Sequence, residues 1–383
     1  MPLDRSGSGL DQQQPSYQRN AASEAVIYSF GSKTPDGGDP RETLTDVHGT
    51  LYGETLGSMG FPHVSNGTVF TVTPSGSETV LHKVSDKQGR YFSQLTVGPK
   101  SPSGGLALYG TGFDRGAYGY GTIVKVSLSG AVTVLHDFAG GNDGALPLAD
   151  LTDVDGTFYG TTYRGGAYSN GTVFSVTPSG SENVIYAFHG GTQDGQYPYA
   201  GLVNLNGTLY GTTLDGGSAG YGTVFSVTPS GTEQVLHSFQ GGSDGARPHA
   251  GLIALNGTLY GTTLGGGGAK RCAPGGCGTV FSITPSGTET VLYSFALHRD
   301  GFGPYATLLA LNGKLYGTTP GGGKGFGTVF SVTPSGTERL LHAFVPSDGS
   351  GPYGGLINIH RTLYGTTSAG GTHNDGTVYS VTL

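Results

Sequence analysis

The sequence YAGLVNLNGTLYGTTLDGGSAGYGTVFSVTPSGTEQVLHSF, residues 199–239, decides the fold because it contains four short runs with the composition of β-strands. The runs are GLVNL (201–205), TLYGTT (208–213), TVFSVT (223–228) and TEQVLHSF (232–239). Asn206-Gly207 joins the first two, and both central residues of a type I′ hairpin turn need a positive φ. Pro229-Ser230-Gly231 suits a longer turn with a left-handed Gly. Helical spacing of apolar residues is missing, so the stretch predicts a four-stranded antiparallel meander, the size of one propeller blade.

The unit recurs along the chain with a period near 50 residues. Leu-Tyr-Gly or Phe-Tyr-Gly occurs seven times, with its Tyr at Tyr52, Tyr109, Tyr159, Tyr210, Tyr260, Tyr316 and Tyr364. The third-strand motif Gly-Thr-Val/Ile also occurs seven times. Rungs of an open solenoid are usually shorter and need capping repeats. The sequence therefore predicts an all-β fold, a seven-bladed β-propeller with four-stranded antiparallel blades.

The two ends of the numbered chain each contain part of one blade. The chain stops at TVYSVTL (377–383), directly after the seventh third strand, while AVIYSF (25–30) has the pattern of a fourth strand. We therefore expect an N-terminal strand, residues 24–30, to complete the C-terminal blade and close the ring. We also expect burial of Val26, Tyr28 and Phe30 to contribute roughly 1.5–3 kcal/mol each if they pack as their counterparts in the other blades do.

The predicted domain organisation is a short arm followed by one propeller. Residues 1–23 are polar and Gln-rich and are predicted to be a flexible arm. Residues 24–383 are predicted to form a single seven-bladed domain. The predicted blades are approximately 40–84, 92–138, 148–188, 199–239, 249–295, 305–344, and 353–383 together with 24–30.

Composition excludes several classes of function. The formal charge is −7 and only 12% of residues are charged, with no basic cluster beyond Lys270-Arg271, so nucleic acid is not an expected partner. No run approaches 18 apolar residues, so no membrane span is expected. A secretory leader is not visible, which fits either a cytosolic chain or a mature exported one. Motifs for nucleotide binding, HExxH and GxSxG are missing, so no cofactor is predicted, and we expect a monomer.

The only two cysteines lie close together in CAPGGC. Cys272 and Cys277 span six residues that include one Pro and two Gly, so they can close a small disulfide loop. Two ligands alone would not make a zinc site. A disulfide favours an oxidising compartment.

The tandem blocks LYGTT, GTVFSVTPSGTE and VLHSF resemble the GloVer-type repeats of bacterial exported proteins, and the resemblance covers essentially residues 24–383. It implies an exported bacterial protein, in the extracellular space or at the cell surface. It implies no activity for particular residues.

Loop lengths indicate which face of the propeller carries a site. The one-to-two and three-to-four connections are tight turns, whereas the two-to-three and four-to-one connections are long and variable, as in 262–279 and 240–251. In a meander both long connections lie on one face. Binding sites usually occupy such loops on a rigid scaffold, so we expect the site on this loop-rich face, around the central channel.

Features present in nearly every blade are expected to be structural. Asp-Gly recurs at Asp36, Asp143, Asp194, Asp244, Asp300 and Asp348. We interpret these as turn formers; the alternative is a ring of carboxylates that binds cations. One fourth-strand position alternates between His and Tyr, at His82, His136, His237, His342, Tyr28, Tyr186 and Tyr293. A position that accepts either aromatic favours packing between blades over metal binding, so no metal site is predicted.

Residues that break the repeat are the candidates for function. The candidate catalytic residues lie near the four-to-one Pro and are Arg41, Tyr199, His249, Tyr305 and Tyr353. The candidate ligand-binding residues are Glu54, Tyr91, Asp114, Arg115, Tyr163, Arg164, Asp215 and Arg247. Together the two sets suit a sugar or an anionic ligand, because aromatic faces stack on sugar rings and Arg holds a carboxylate in bidentate fashion. The alternative is that they are ordinary variable loop residues.

Three functions are compatible with this set. The first is a secreted or cell-surface module that binds a carbohydrate or another anionic or polar ligand. The second is a polysaccharide-degrading enzyme, a lyase in preference to a glycoside hydrolase, in which Arg neutralises a uronate and Tyr or His moves the proton. That hypothesis is an analogy between folds. The third is a structural or protein-interaction propeller.

Overall fold

The structure, a computed structural model, consists of seven β-sheets arranged as the blades of a propeller. It describes residues 22–32, 36–57, 67–99, 105–268, 272, 275–297 and 300–383. Nearly all of the predicted arm, 1–23, and Lys270-Arg271 lie outside these residues. Within them the only helical segments are two short 3₁₀ turns, Asp86–Gln88 and Gly141–Asp143. No helix in this part of the chain is long and apolar enough to cross a membrane. The predicted all-β, seven-bladed propeller is confirmed.

The first strands are the shortest. They are β2 (Thr45–Val47), β7 (Thr96–Val97), β11 (Thr152–Val154), β16 (Val203–Leu205), β20 (Ile253–Leu255), β24 (Leu309–Leu311) and β28 (Ile357–Ile359). Blades two and four each add a short strand before the first one, β6 (Arg90–Phe92) and β15 (Gly195–Pro198), which pairs with the second strand. The second strands are β3 (Thr50–Thr55), β8 (Ala107–Asp114), β12 (Thr157–Thr162), β17 (Thr208–Gly216), β21 (Thr258–Thr263), β25 (Lys314–Thr319) and β29 (Thr362–Thr367).

The third and fourth strands complete each antiparallel sheet. The third strands are β4 (Thr68–Val72), β9 (Thr122–Ser127), β13 (Thr172–Val176), β18 (Thr223–Val227), β22 (Thr279–Ile283), β26 (Thr328–Val332) and β30 (Thr377–Thr382). The fourth strands are β5 (Glu78–Lys83), β10 (Val132–Asp137), β14 (Glu182–Ala187), β19 (Glu233–Ser238), β23 (Glu289–Ser294), β27 (Glu338–Ala343) and, for the last blade, β1 (Ser23–Ser29).

The tight turns have the backbone that the sequence predicts. Asn206 and Gly207 have φ values of 55° and 83°, as a type I′ turn requires, and Gly231 of the Pro-Ser-Gly turn has a φ of 90°. In blade seven the same turn is made by His360 and Arg361, with φ values of 49° and 69°. An L residue with a Cβ is disfavoured in this left-handed region.

Replacing Arg361 with Gly should therefore stabilise the protein. Arg361 is exposed, and we expect Arg361→Gly to raise the free energy of unfolding by about 1 kcal/mol, because Gly adopts a positive φ without a steric penalty. Denaturant unfolding measures the change. The matched control is Gly207→Arg in blade four, where a Cβ would meet no atom within 4 Å, so only backbone conformation is tested. Gly207→Arg should lower the free energy of unfolding by about the same amount. A loss of stability in Arg361→Gly would contradict this prediction.

The hydrophobic core consists of layers between neighbouring blades. Phe188 of the fourth strand in blade three meets Phe225 of the third strand in blade four edge to face, with ring centroids 5.0 Å apart, and both side chains are fully buried. Gly211, in the Leu-Tyr-Gly motif, lies beneath this contact, since a Cβ there would lie 2.6 Å from the Phe225 ring. The motif thus keeps Gly where the aromatic layer needs the space.

Strand β1 occupies the fourth position of the last blade. It pairs antiparallel with β30, from Ser23 opposite Thr382 to Ser29 opposite Thr377. Phe30 follows directly; it is fully buried and contacts Phe70 of blade one, with ring centroids 5.0 Å apart.

The expected burial of Val26 is wrong. Val26 is 39% exposed, as is its counterpart Leu340 in blade six. Ile27 and Tyr28 are partly buried and pack against the core instead.

Candidate functional site: the mouth of the central channel

A pocket of about 590 Å³ lies where the chain enters the first strands of the blades. Its lining comes from the ends of the four-to-one connections and, through Leu56, Phe113 and Tyr163, from the two-to-three connections. Both kinds of long loop meet on the same face, so the pocket lies at the mouth of the channel on the loop-rich face.

Aromatic residues that follow the four-to-one Pro form a stack inside this pocket. The His249 ring lies between Tyr199 and Tyr305, with ring centroids 3.6 Å from each. The hydroxyls of Tyr199 and Tyr305 are 3.1 Å apart and hydrogen-bonded. Tyr353 meets Tyr305 edge to face at 5.3 Å, and Tyr163 meets Tyr199 at 5.9 Å. Five of the predicted residues thus form one continuous aromatic surface, and we call it the aromatic wall.

His249 is a packing element of the wall. Its side chain is only 6% exposed, and burial lowers its pKa to about 3, although a hydrogen bond to the Tyr305 backbone opposes the shift. Its ring is therefore neutral at pH 7. Burial also raises the pKa of Tyr305, so this phenol keeps its proton.

Arg41 is held by an acidic neighbour. Its Nε and one terminal nitrogen donate to the two carboxylate oxygens of Asp39 at 2.7 and 3.0 Å. The guanidinium lies 5.1 Å from the centroid of the Tyr353 ring, a distance at which a cation–π contact forms. Asp39 therefore already neutralises the Arg41 guanidinium, which the sequence predicts to bind a carboxylate of the ligand.

Two further carboxylates line the pocket. Burial raises the pKa of Glu42 to about 7, with a further contribution from Asp150, while Arg41 opposes it. Burial also raises the pKa of Asp150 to about 6, against hydrogen bonds from backbone amides that include Gly201. The charged groups of the pocket are thus predominantly acidic.

Sequence reasoning missed Glu42, Asp150 and Asp39. A usable signal was present: Glu42 stands where five other blades have Ala or Gly, and Asp150 stands where blades four, five and seven have Gly. Both break the repeat as clearly as the aromatic residues do. Asp39 precedes the Pro, in a part of the loop where the blades have no common pattern.

The other predicted ligand-binding residues do not line this pocket. Asp114 pairs with Arg90, Asp215 with Arg247 and, more loosely, Arg115 with Asp86, at N–O distances of 2.5, 3.6 and 4.0 Å. The guanidinium of Arg164 lies over the Tyr197 and Tyr163 rings, at 4.5 and 5.3 Å. Glu54 is buried away from the pocket lining, and Tyr91 lies in β6 (Arg90–Phe92). The structure thus separates an inner set at the channel from an outer set of paired loop residues.

Cys272 and Cys277 form a disulfide with Cα atoms 5.3 Å apart, as the sequence predicts. It lies in the two-to-three connection of blade five. Next to it, the Gly276 amide donates to the Cys272 carbonyl at 2.7 Å.

The fold and the pocket together define a seven-bladed β-propeller with an aromatic site at the mouth of its channel. The chain belongs to the family of the Gloeobacter/Verrucomicrobia repeat, whose model matches residues 63–273 and 206–383. The resemblance to GloVer-type repeats is thereby confirmed. No curated protein matches this sequence.

Several solved structures have a similar fold. The extracellular domain of a protein assigned as a hybrid two component system from B. thetaiotaomicron is 12% identical, with a TM-score of 0.54, over 93% of this chain and 39% of that one. A puromycin hydrolase is 14% identical, with a TM-score of 0.51, over 86% of this chain and 50% of that one. A luciferin-regenerating enzyme is 14% identical, with a TM-score of 0.45, over 91% and 92%. This chain spans half or less of the two-component system domain and of the puromycin hydrolase. Sequence identities this low show similarity of fold alone.

Proposed function

We propose that this protein is an exported, monomeric propeller that binds carbohydrate at the mouth of its channel. The observation that carries the proposal is the aromatic wall, five rings that share one pocket with the side chains of Arg41, Glu42 and Asp150. Aromatic faces stack on sugar rings, and a few polar groups fix orientation. The repeat family and the disulfide support export.

The charges favour a neutral or amino-bearing sugar over a uronate. Arg41 is bound by Asp39, and the remaining charged groups of the pocket, Glu42 and Asp150, are acids. A carboxylate ligand would meet like charges, whereas hydroxyls and ammonium groups would find acceptors and aromatic faces.

The proton-transfer roles of a lyase do not suit His249, Tyr199 or Tyr305. A general base works best with a pKa near the working pH, and that of His249 is lowered to about 3. The phenols of Tyr199 and Tyr305 have raised pKa values, so neither becomes a phenolate base easily.

A glycan array followed by calorimetry tests the proposal. We expect the protein to bind neutral or amino-bearing oligosaccharides such as cello- or chitosan oligosaccharides, and not polygalacturonate. Tyr163→Ala and Tyr353→Ala, which remove rings at the edges of the wall, should each weaken binding about tenfold, equivalent to about 1.4 kcal/mol. The matched control is Tyr221→Ala, a 44% exposed ring outside the pocket lining, which should leave affinity unchanged.

Three results would count against the proposal. New absorbance near 235 nm on incubation with polygalacturonate would indicate a lyase. Retention of no glycan would favour a protein-interaction role. Equal losses of affinity in Tyr221→Ala and Tyr353→Ala would indicate that the ligand binds outside the pocket.

A further inference from the structure

One contact recurs around the outer rim of the propeller, at the junctions between blades. A His or Tyr on a fourth strand contacts the Asp of the following Asp-Gly. The pairs are Tyr28–Asp36, His136–Asp143, Tyr186–Asp194, His237–Asp244, Tyr293–Asp300 and His342–Asp348. The Asp-Gly carboxylates therefore hold the fourth strand in addition to forming turns.

The aromatic partner alternates from blade to blade. Blades two, four and six have His, and blades three, five and seven have Tyr. Seven is odd, so the alternation must break once, and it breaks at blade one. There His82 contacts the amide oxygen of Gln88 at 2.9 Å in place of an Asp. One chain thus contains two chemically different junctions that share the same backbone.

A tyrosine junction contains a phenol in place of the imidazole. The hydroxyl of Tyr186 donates to Asp194 at 2.8 Å, and burial together with this hydrogen bond raises the pKa of the phenol, which stays protonated. The phenolic proton therefore lies between the two side chains.

At both kinds of junction a glutamate approaches the Asp, and at a histidine junction the imidazole lies close to both carboxylates. In the first two histidine junctions this glutamate is the first residue of the fourth strand of the following blade. In the last one it is the second residue of β1. The three sets are His136, Asp143 and Glu182; His237, Asp244 and Glu289; and His342, Asp348 and Glu24. In each set one ligand atom per residue lies within 4.8 Å of the other two. The imidazole Nε2 lies 3.1 to 3.2 Å from its Asp.

The glutamates of these sets are incompletely satisfied. Oε1 of Glu24, Glu182 and Glu289 is inaccessible to solvent and has no hydrogen-bond partner among the residues that the structure describes. The same holds for Oε1 of Glu233 and Glu338 at tyrosine junctions, so the unpartnered oxygen is a feature of the repeat. The histidine junctions differ in having an imidazole nitrogen, in place of a phenol, beside the two carboxylates. Two carboxylates that face one another, and a buried oxygen without a partner, are conditions that a cation would relieve.

Imidazole with two carboxylates is a ligand set for first-row divalent metals. Zn²⁺ binds His nitrogen and carboxylate oxygen at about 2.0–2.2 Å, and ligand atoms around one tetrahedral ion are then roughly 3.3 Å apart. The His–Asp separations of 3.1 to 3.2 Å are close to this value, and the Glu oxygen, within 4.8 Å of the other two atoms, would move by at most about 1.5 Å to reach it. Calcium would prefer oxygen ligands alone.

We propose that the three histidine junctions, between blades two and three, four and five, and six and seven, each bind one Zn²⁺-like divalent metal ion. Each ion would join residues of two adjacent blades and would leave a coordination position for water. The sequence analysis favoured packing at these histidines and predicted no metal site, so the two interpretations exclude one another.

Titration of the chelator-treated full chain with Co²⁺ tests the proposal, with the visible spectrum and dialysis as measurements of binding. We expect about three Co²⁺ per chain, displaced by Zn²⁺, and a rise in melting temperature with metal. The variant His136→Tyr/His237→Tyr/His342→Tyr installs the residue that alternate blades already use, so its fold should be preserved. It should lose all three ions and the metal-dependent rise.

His82→Tyr is the matched control, because this histidine contacts the amide oxygen of Gln88 where the other junctions have an Asp. It should keep three ions. Absence of Co²⁺ binding in the wild-type protein at millimolar metal would overturn the proposal. Undiminished binding in the triple variant would also overturn it, because the ions would then bind elsewhere.

Discussion

Deletion of residues 1–31 should lower the melting temperature sharply and should make the protein prone to associate. The deletion removes β1 and Phe30, which is fully buried against Phe70 of blade one. Loss of a buried Phe side chain alone costs about 3–5 kcal/mol. The deletion also leaves the backbone of β30 unpaired, and exposed strand edges invite pairing with other chains.

Calorimetry and size-exclusion chromatography measure the two effects. The matched control is deletion of residues 1–21, which leaves all of β1 (Ser23–Ser29) in place. This control should have the same melting temperature as the full chain. Phe30→Ala separates packing from strand pairing, since it keeps the backbone of β1 and should show an intermediate melting temperature without association. An unchanged melt in the longer deletion would refute closure of the ring by β1.

The repeat made most of this fold predictable from the sequence. Seven copies of the four-strand pattern, three of them with Asn-Gly between the first two strands, leave few arrangements other than a ring of meanders. The observed φ values of Asn206 and Gly207 match the predicted turn. Val26 was mispredicted because strict alternation assumes an uninterrupted strand. The β-bulge between Val26 and Tyr28 recurs at the same place in the fourth strands of the other six blades, so it belongs to the repeat, although the alternation of residue types does not reveal it.

The site was only partly predictable, for a related reason. Comparison of copies identifies positions that vary, and the variable position after the Pro gave Tyr199, His249 and Tyr305 correctly as neighbours. It does not tell how far a side chain reaches or which partner it meets. Arg247 is among the predicted channel residues, yet its side chain pairs with Asp215 near the end of β17. Pairing of this kind depends on distances between loops, which the repeat period leaves open.

Glu54 illustrates what a break in the repeat can mean. Six blades have Thr at this position, and in five of them the Thr hydroxyl donates to a backbone carbonyl of the next blade, as from Thr212 to Ala250 at 3.0 Å. Glu54 is 4% exposed, and neither carboxylate oxygen has a hydrogen-bond partner within the described residues. Burial, with Glu42 nearby, raises its pKa well above the ordinary value.

Glu54→Thr should therefore stabilise the protein, and the gain should grow with pH. A raised pKa means that the folded protein holds this proton at pH values where the unfolded chain has lost it, so Glu54 lowers stability progressively as pH rises above about 4.3. We expect Glu54→Thr to gain about 2 kcal/mol at pH 8, the scale of a buried polar group without a partner, and little at pH 4. Chemical denaturation at the two pH values measures the difference.

Two further variants separate charge from shape at this position. Glu54→Gln keeps the size and removes the titration, so its gain at pH 8 should be smaller than that of Glu54→Thr and should vary less with pH. Thr212→Glu places the same acid at the equivalent buried position of blade four, and it should lose stability mainly at high pH. A loss of stability in Glu54→Thr at pH 8 would mean that the carboxylate has a favourable partner. In that case the break in the repeat at blade one would have to be explained by binding, because burial alone would not account for it.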